Sequence, residues 1–364
     1  MISVKPLISV ILPTYNEASC IEDTLRSLLA QKQEDFRLEI LVIDGGSTDK
    51  TVDCIARFPA DDLVKLLKNP ERSAPVAFNL GLRAAAGEYV CILGAHASYA
   101  PDYIETCYRE LLAHNASGCS GRIVTVPAKQ TPAAKLAAWC LGHAFASSPN
   151  SVRTQTGGFT ETIPYPLFRR AALVELGGYD ERLRRNQDND MNYRLLAAGH
   201  RLYLTPRTHA AYLARPDVRT LWDYGFVTGK WNAFTLHVSA ACMSPRHFAP
   251  FAFAICLVTL AMAALVATLA GSVVSVPLML LGGMLGGHLL LGFVAAVPIG
   301  VRERSMAALL LPLVILGFHL AYGLGTLAGF LSMLRGISPA ANTARVSVAK
   351  LATPVSHGTS TTAR

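Results

Sequence analysis

The residues in this sequence that could do chemistry stand where apolar runs stop. Leu38 to Ile43, rich in β-branched and aliphatic side chains, runs into Asp44-Gly45-Gly46-Ser47-Thr48-Asp49. Val42 and Ile43 favour a buried strand, which puts Asp44 at its carboxyl end. The two glycines let the backbone turn sharply and approach a ligand closely. Ser47, Thr48 and Asp49 can each cap the helix that follows. In open α/β sheets ligands bind at the carboxyl ends of strands, so Asp44 faces either such a crevice or a plain surface turn. Two similar strand ends are Pro13-Thr14-Tyr15-Asn16-Glu17 and Leu93-Gly94-Ala95-His96. Arg72, after Asn69-Pro70-Glu71, is either a contact for an anion or a solvated loop arginine. Asp188 and Asp190 precede Met191, Leu195 and Ala198 at helical spacing, which puts both acids at a helix N-terminus, where they could act as caps or as reactive carboxylates.

The elements that must hold these residues follow from periodicity. Ile8 to Leu12, Leu38 to Ile43, Leu63 to Leu67 and Glu88 to Leu93 read as strands. Ile21, Leu25, Leu28 and Leu29 recur as on one helix face, and Thr51 to Phe58 and Pro75 to Ala86 read as two further helices, with Pro75 tolerated in a first turn. Strand–helix alternation at this rhythm predicts an α/β fold with a doubly wound sheet. Thr131 to Ala146, with Leu136, Trp139, Cys140 and His143, reads as one short amphipathic helix, either core or a membrane-surface element. No Gly-x-Gly-x-x-Gly follows a strand, which argues against a dinucleotide cofactor. Gly225-x-x-x-Gly229-Lys230 is one residue short of a P-loop and is followed by Trp231.

Composition sets the compartment. Hydrophobic residues make up 51% of the 364 and charged residues 16%, too apolar for an ordinary soluble domain. The excess is concentrated: neither Phe248 to Val301 nor Ser305 to Leu334 contains Asp, Glu, Lys or Arg. Each exceeds the ~20 apolar residues that span a bilayer, and the first is long enough for two spans with a turn at Gly271-Ser272. The expected spans are Phe248 to Ala270, Val273 to Val297 and Ser305 to Leu334. Arg302 and Arg304 then lie inside. The last segment either crosses or breaks at Gly323 or Gly325 and re-enters. Trp222, Tyr224, Lys230 and Trp231 suit an interfacial belt ahead of the first span. Met1-Ile-Ser-Val-Lys-Pro lacks the pattern of an export signal, so the N-terminal part is expected in the cytoplasm. The eight cysteines form no Cys-x-x-Cys pair, as reduced structural thiols do. The net charge of +8 forms no continuous stripe and leads towards the first span, so an anionic membrane surface, not nucleic acid, is the expected partner. The tail from Ser338 is rich in Ser, Thr, Ala and Pro and is expected to be disordered.

Pro13-Thr14-Tyr15-Asn16-Glu17, Asp44-Gly-Gly-Ser-Thr-Asp49 and Gly87-Glu88-Tyr89-Val90, in this order, resemble the family-two inverting glycosyltransferases of GT-A fold. The resemblance continues through Gly177-Gly178-Tyr179-Asp180-Glu181, Arg185 to Leu195, Tyr224 to Trp231 and His319-x-x-Tyr322-Gly323-x-Gly325, a longer pattern similar to the succinoglycan-type exopolysaccharide glycosyltransferases. It implies a Rossmann-like GT-A sheet with a C-terminal transmembrane helical region. The expected division is a nucleotide-sugar-binding half over 1–120, an acceptor and catalytic half over 121–215, an interfacial segment over 216–247, about three transmembrane helices over 248–334 and a tail over 335–364.

The resemblance also assigns roles. Pro13, Thr14, Tyr15, Glu17, Asp44 and Gly45 would surround the nucleoside, with Arg72, Gly94 and Ala95 completing the donor site. An acid there can accept from a base N–H or a ribose hydroxyl, and a tyrosine ring can pack on the base. Asp188 matches the second acid of the family's catalytic pair, as general base, while Gln187 replaces the first. Phe159 to Tyr165 and Phe168 to Arg170 would line the acceptor side. The family ends the fourth strand with an acid two residues before an Asp or His, to hold a divalent ion, Mn²⁺ or Mg²⁺, against the diphosphate. Here Gly94 stands where that acid is expected and His96 is the ligand that remains. A hard cation prefers carboxylate oxygen. Three outcomes stay open: His96 shares the ion with the diphosphate and another acid, basic residues neutralise the leaving group, or the donor is bound weakly without transfer. The expected function is transfer of one sugar from a nucleotide-sugar, a UDP-sugar foremost, to a polyprenyl-linked acceptor at the inner membrane during exopolysaccharide assembly. A processive synthase, whose Gln-x-x-Arg-Trp loop this sequence lacks, and a non-catalytic membrane assembly partner are the alternatives.

Overall fold

The computed structural model describes residues 5–58, 63–271 and 275–337. Ser272 of the expected turn and the tail from Ser338 lie outside the described residues. Contacts divide the described residues into two compact units: one comprises those up to 121 together with 157–210, the other 122–156 and those from 211 to 337.

The strands are β1 (Leu7–Thr14), β2 (Arg37–Asp44), β3 (Val64–Lys68), β4 (Tyr89–Ile92), β5 (Ala97–Tyr99), β6 (Gly118–Val126), β7 (Gly158–Phe159), β8 (Leu167–Arg169) and β9 (Leu202–Leu213). They form a sheet of order β3-β2-β1-β4-β8-β6-β9-β5, with β7 paired to β9. β1 runs parallel to β2 and β4, and β2 to β3, while β8 is antiparallel to both β4 and β6. The sheet is therefore mixed, with a parallel half where the doubly wound pattern was read. β1 and β2 are buried nearly throughout, as strands covered on both faces must be.

The first unit places α1 (Ile21–Leu29), α2 (Thr51–Ile55) and α4 (Tyr103–Ala113) against one face of the sheet. On the other lie α3 (Ala74–Ala84), α7 (Arg170–Glu175) and α8 (Gln187–Ala197). α1 buries Ile21, Leu25 and Leu28, the stripe its spacing predicts. On the opposite face Phe78 and Leu82 of α3 join Ile11 of β1 and Ile43 of β2. Gly87, in the turn into β4, donates its N–H to Ser9 Oγ at 2.9 Å, and Ser9 donates to the buried Glu39 carboxylate at 2.6 Å. A Cβ at Gly87 would come within 2.6 Å of the Leu7 carbonyl, so the glycine of that motif serves packing.

The second unit contains α5 (Pro132–Gly142), α6 (Ala144–Ser147), α9 (Val218–Val238), α10 (Ala249–Leu269), α11 (Val276–Glu303) and α12 (Leu311–Leu334). The single helix expected over 131–146 is broken at His143, which leaves helical geometry and accepts the Phe145 N–H on Nδ1 at 3.1 Å as the cap of α6. Among the described residues, three segments are long and apolar enough to cross a membrane: Pro245–Leu269, Val276–Glu303 and Met306–Leu334. α12 is continuous through Gly323 and Gly325, so the segment does not break there. These glycines serve contact. A Cβ at Gly325 would strike the Phe226 carbonyl of α9, and one at Gly323 the Pro250 carbonyl of α10. α9 answers with Gly229, whose Cβ would overlap the Tyr322 carbonyl. Trp222, expected in an interfacial belt, packs its indole on Gly317 and donates Nε1–H to the Val314 carbonyl at 3.3 Å.

Small residues that admit close backbone approach are how apolar helices associate where burial drives little. Gly229→Ala is therefore expected to destabilise the second unit by about 1–3 kcal/mol or more through overpacking. A lower thermal midpoint of the detergent-purified protein would report it. Gly282→Ala, at a position with nothing within 4 Å, is the control and leaves the midpoint unchanged or raised. Equal midpoints for the two variants would show that this close contact carries no weight.

Candidate active site

The first unit gathers its polar side chains at the carboxyl ends of β1, β2 and β4. Asp44 is the last residue of β2 and is 6% exposed. Its Oδ2 accepts the N–H groups of Gly46 (2.9 Å) and Ser47 (3.1 Å), and its Oδ1 accepts the Ser47 hydroxyl at 2.6 Å. Gly46 turns the chain at φ +74°, a conformation that favours glycine. The carboxylate thus holds its own turn closed. The loop after β1 is tied to this turn. Asn16, at φ +55°, donates its N–H to Ser47 Oγ (2.9 Å) and accepts the Thr48 N–H on Oδ1 (2.8 Å). Glu17 N–H reaches Thr51 Oγ1 at 2.8 Å, and Ala18 N–H reaches Asp49 Oδ2 at 3.2 Å. A further bond, Gly45 N–H to the Thr14 carbonyl at 2.8 Å, joins the strands at the root of both loops.

Tyr15 stands on this joined surface, 45% exposed. The Arg72 guanidinium lies 5.5 Å from its ring centroid, a cation–π separation. A Cβ at Gly45 would sit 3.4 Å from the Tyr15 side chain, and one at Gly46 would sit 3.7 Å from Arg72 Nε. Tyr15, Gly45, Gly46 and Arg72 are therefore one cluster: an aromatic face and a fixed cation over a glycine floor, chemistry suited to a base and an anionic group. Arg72 itself is held at φ +50° beside Asn69, whose N–H donates to the Asp44 carbonyl at 2.7 Å. Thr14 Oγ1, Asn69 Oδ1 and Ser73 Oγ are buried without a partner among the described residues. Buried polar atoms are rarely left so, and all three lie at or near the strand ends that carry Tyr15 and Arg72.

The end of β4 is different in character. Tyr99 Oη accepts the Gly94 N–H at 2.7 Å and donates to the Gly94 carbonyl at 3.0 Å, so both backbone groups of Gly94 are engaged. Ala95 is buried and its carbonyl accepts Thr24 Oγ1 at 2.7 Å. His96 is half-exposed, and its Nδ1 lies 3.5 Å from Glu17 Oε1. Glu17 also accepts the Cys20 thiol on Oε2 at 3.1 Å. Burial, then Glu17, pushes that thiol up to about 12, so it keeps its proton and the hydrogen bond. As a divalent cation site this falls short. One imidazole and one carboxylate converge, Gly94 offers no oxygen side chain, and no group of three His, Cys, Asp or Glu gathers among the described residues. The donor set does not by itself build the oxygen-rich shell that Mg²⁺ or Mn²⁺ takes.

Asp188 lies in the first turn of α8, after Asn186 at φ +60°. The residue reaches the surface, but burial of its carboxylate among the surrounding protein raises its pKa by desolvation, outweighing the Asn189 N–H at 2.9 Å and the charge of Arg185 that lower it. A carboxylate near the surface with a raised pKa is what a proton acceptor needs. Its neighbour Asp190 is buried and bound to Arg194 at 2.8 Å, and Arg194 in turn donates to the Leu176 and Gly178 carbonyls. The two acids of the sequence pattern thus part: Asp190 ties α8 to the preceding loop, and Asp188 lies near the surface. Gln187 Oε1 is buried without a partner among the described residues.

Three features carry no sequence signal of their own. The Glu17–His96 approach joins residues far apart in the chain. The Tyr99 clamp on Gly94 is local, five residues along the chain, but no spacing rule encodes a phenol bonded to both backbone groups of one glycine. The third is Asn79 of α3, which donates Nδ2–H to the Tyr179 carbonyl and to Glu181 Oε1, both at 2.9 Å, and accepts the Tyr179 N–H at 2.8 Å. It holds the Gly177-to-Glu181 loop that leads into α8. The part played by Asn16 had a faint signal, since asparagine tolerates the left-handed region.

The sequence profile described as glycosyl transferase family 2 matches residues 9–177. Over 253 residues the chain is 30% identical to the succinoglycan biosynthesis protein ExoA of Rhizobium meliloti (strain 1021), covering 67% of this chain and 76% of that protein. Over 221 residues it is 27% identical to the dolichyl N-acetyl-alpha-D-glucosaminyl phosphate 3-beta-D-2,3-diacetamido-2,3-dideoxy-beta-D-glucuronosyltransferase of Methanococcus voltae, covering 58% of this chain and 68% of that protein. The fold is similar to that of the mannosyltransferase PcManGT from Pyrobaculum calidifontis, solved in complex with GDP-Man and Mn²⁺. That match has a TM-score of 0.57 and 21% identity, and covers 89% of this chain and 88% of that one.

Replacing Asn79 by Ala leaves the Tyr179 backbone groups and the Glu181 carboxylate without these partners in a buried setting. The expected loss is about 2–4 kcal/mol of stability, since each unsatisfied buried group costs ~1–3 kcal/mol. Urea denaturation of the purified protein measures it. A midpoint like that of the wild type would mean that the loop before α8 is held by something else.

Proposed function

The chain belongs to glycosyl transferase family 2, and on that premise we propose that it transfers one sugar, with inversion, from a nucleotide-sugar to a lipid-linked acceptor at the cytoplasmic face of a membrane. The observation that carries this reading is the carboxylate of Asp188 near the surface, with its raised pKa, in the same unit as the joined loops that display Tyr15 and Arg72. The joined loops suit a nucleoside diphosphate, and Asp188 supplies a base.

The chemistry divides accordingly. Tyr15 packs on the base of the donor, and the Asp44 turn presents a rigid floor beneath it. Arg72, always charged, meets the diphosphate. Asp188 takes the proton of the acceptor hydroxyl as its oxygen attacks the anomeric carbon. The bond from that carbon to the diphosphate breaks on the opposite face, which inverts the configuration, and the nucleoside diphosphate leaves with the bonding pair. His96 and Glu17 alone do not build a site for a divalent ion. The three apolar helices keep the protein at the bilayer, where an acceptor carrying a polyprenyl chain must stay. Likeness to a succinoglycan biosynthesis protein supports exopolysaccharide assembly as the setting, and a UDP-sugar is the first donor to try.

The test is transfer by the full chain, in lipid vesicles carrying a polyprenyl-diphosphate-linked sugar, from a panel of UDP- and GDP-sugars. The expected product is the acceptor extended by a single residue; a ladder of longer products would point to a processive synthase. Asp188→Asn is expected to lower turnover by about 10²–10⁴ while nucleotide binding stays near wild type. Unchanged turnover removes Asp188 from the role. No turnover from any donor, with the protein folded, would leave a non-catalytic partner.

The raised pKa predicts the acid limb of the pH profile. A base works only when deprotonated, so kcat/KM is expected to fall as pH drops through a midpoint above the ~3.9 of a free aspartate. A profile that stays flat to pH 4 would contradict it.

A further inference from the structure

The end of β4 contains an aromatic side chain where the family resemblance leads one to expect an acid. A Cβ built on Gly94 would lie 3.0 Å from Tyr165 Cε1 and 3.6 Å from Tyr165 Oη. We propose that Tyr165 takes the place of that acid and binds the diphosphate of the donor through its hydroxyl, so that the donor is held without a resident divalent cation. The proposal rests on the donor-site reading above.

Tyr165 is fixed for such a task. Its carbonyl accepts the buried Tyr103 hydroxyl at 2.9 Å, and the edge of its ring meets Tyr99 with centroids 5.5 Å apart. Tyr99 in turn clamps both backbone groups of Gly94. The two surfaces that define the gap are thereby locked to one another. Tyr165 sits at φ +46°, unusual for a bulky side chain and sustained only where the surroundings impose it; such strain gathers at ligand sites. Tyr99 and Tyr103 are fully buried, whereas Tyr165 is partly exposed. Of the three, it is the one that a ligand can reach.

The exchange of an acid for a phenol changes the chemistry of the position. A carboxylate beside a diphosphate repels it and needs a cation between. A phenol is neutral near pH 7 and donates a hydrogen bond directly to phosphate oxygen. As the bond to the anomeric carbon breaks, negative charge grows on that oxygen and the hydrogen bond strengthens. Arg72 supplies positive charge from the Tyr15 side of the site. With Gly94 in place of the acid, position 94 offers no carboxylate for a cation to bridge, and the Tyr165 ring fills the space a longer side chain would need.

Titration calorimetry on the full chain in nanodiscs tests this, with UDP, GDP, ADP and dTDP as probes, in EDTA and again in MnCl₂. The wild type is expected to bind at least one of them with affinities within about threefold in the two conditions. Tyr165→Phe keeps the ring against Gly94 and Tyr99, so its thermal midpoint stays at wild type. It loses about tenfold or more in affinity, as expected for a hydrogen bond to a charged group. Gly94→Ala tests the same gap from the other side: a Cβ crowds the ring and weakens binding in both conditions. Tightening of wild-type binding by about tenfold or more in Mn²⁺ overturns the cation-free site while leaving the transferase reading intact. Wild-type affinity in a folded Tyr165→Phe overturns the role of the hydroxyl. A folded wild type that binds none of the four probes in either condition overturns the donor-site reading, and this proposal with it.

Discussion

The constraint on which the rest of the first unit depends is the satisfaction of backbone N–H groups at the carboxyl edge of a parallel sheet. Strands that end together leave donors that a buried edge cannot expose unpaired. Here each loop satisfies the other. The Asp44 carboxylate takes the N–H groups of its own turn, Asn16 takes the N–H of Thr48, and Ser47, Asp49 and Thr51 take those of Asn16, Ala18 and Glu17. The short side chains after Asp44 are thus fasteners between two loops. These bonds fix the two loops against each other, and Tyr15 and Arg72 are presented over the joined surface.

The second unit meets the opposite constraint. Its helices have their backbone groups satisfied internally, and their apolar faces would gain little by meeting each other in lipid. What brings α9, α10 and α12 together is the absence of side chains at the crossing points. Gly225 and Gly229 on α9 face Phe318 and Tyr322 on α12, while Gly325 faces Phe226. The polar groups that remain are paired across the contact: Asn232 donates to Tyr322 Oη at 2.7 Å and to the His247 carbonyl at 3.0 Å. A helix carrying Arg219, Asp223 and Lys230 can therefore lie along one apolar enough to span a bilayer, because backbone meets backbone where they touch.

These two constraints explain what could be read in the sequence. The strands and helices of the first unit fall within a few residues of their expected bounds, since aliphatic runs and caps are local signals: β2 gains Asp44, and α3 begins one residue before Pro75. The antiparallel strands β7 and β8 carry no sequence signal, because two or three residues against a neighbour show no period. His143 split a helix that periodicity had drawn whole, through a side-chain cap that spacing does not encode. Gly323 and Gly325 look like helix breakers in sequence and are contact points in space. In the candidate site the polar residues at strand ends were legible one by one. Their pairings were not: Asn79 reaches a loop 100 residues on, and Tyr99 with Tyr165 encloses Gly94 from different parts of the chain.

The two halves of the proposed donor site are thus built on different physical grounds. The nucleoside half is a hydrogen-bonded lattice, and its geometry is over-determined: several bonds fix each loop, so loss of one need not move Tyr15. The phosphate half is a packed one, in which Tyr99, Tyr103 and Tyr165 fill the volume around a residue with no side chain. Packing of this kind has little slack, since a single added carbon at Gly94 meets the Tyr165 ring at 3.0 Å and a dense interior relaxes only in part. An acid could not simply be returned to position 94 without moving the ring, and the ring could not move without disturbing the Tyr103 bond and the Tyr99 clamp behind it. The glycine and the tyrosine are therefore one unit of design. At this position the side chain beside the backbone of residue 94 is a phenol, not a carboxylate.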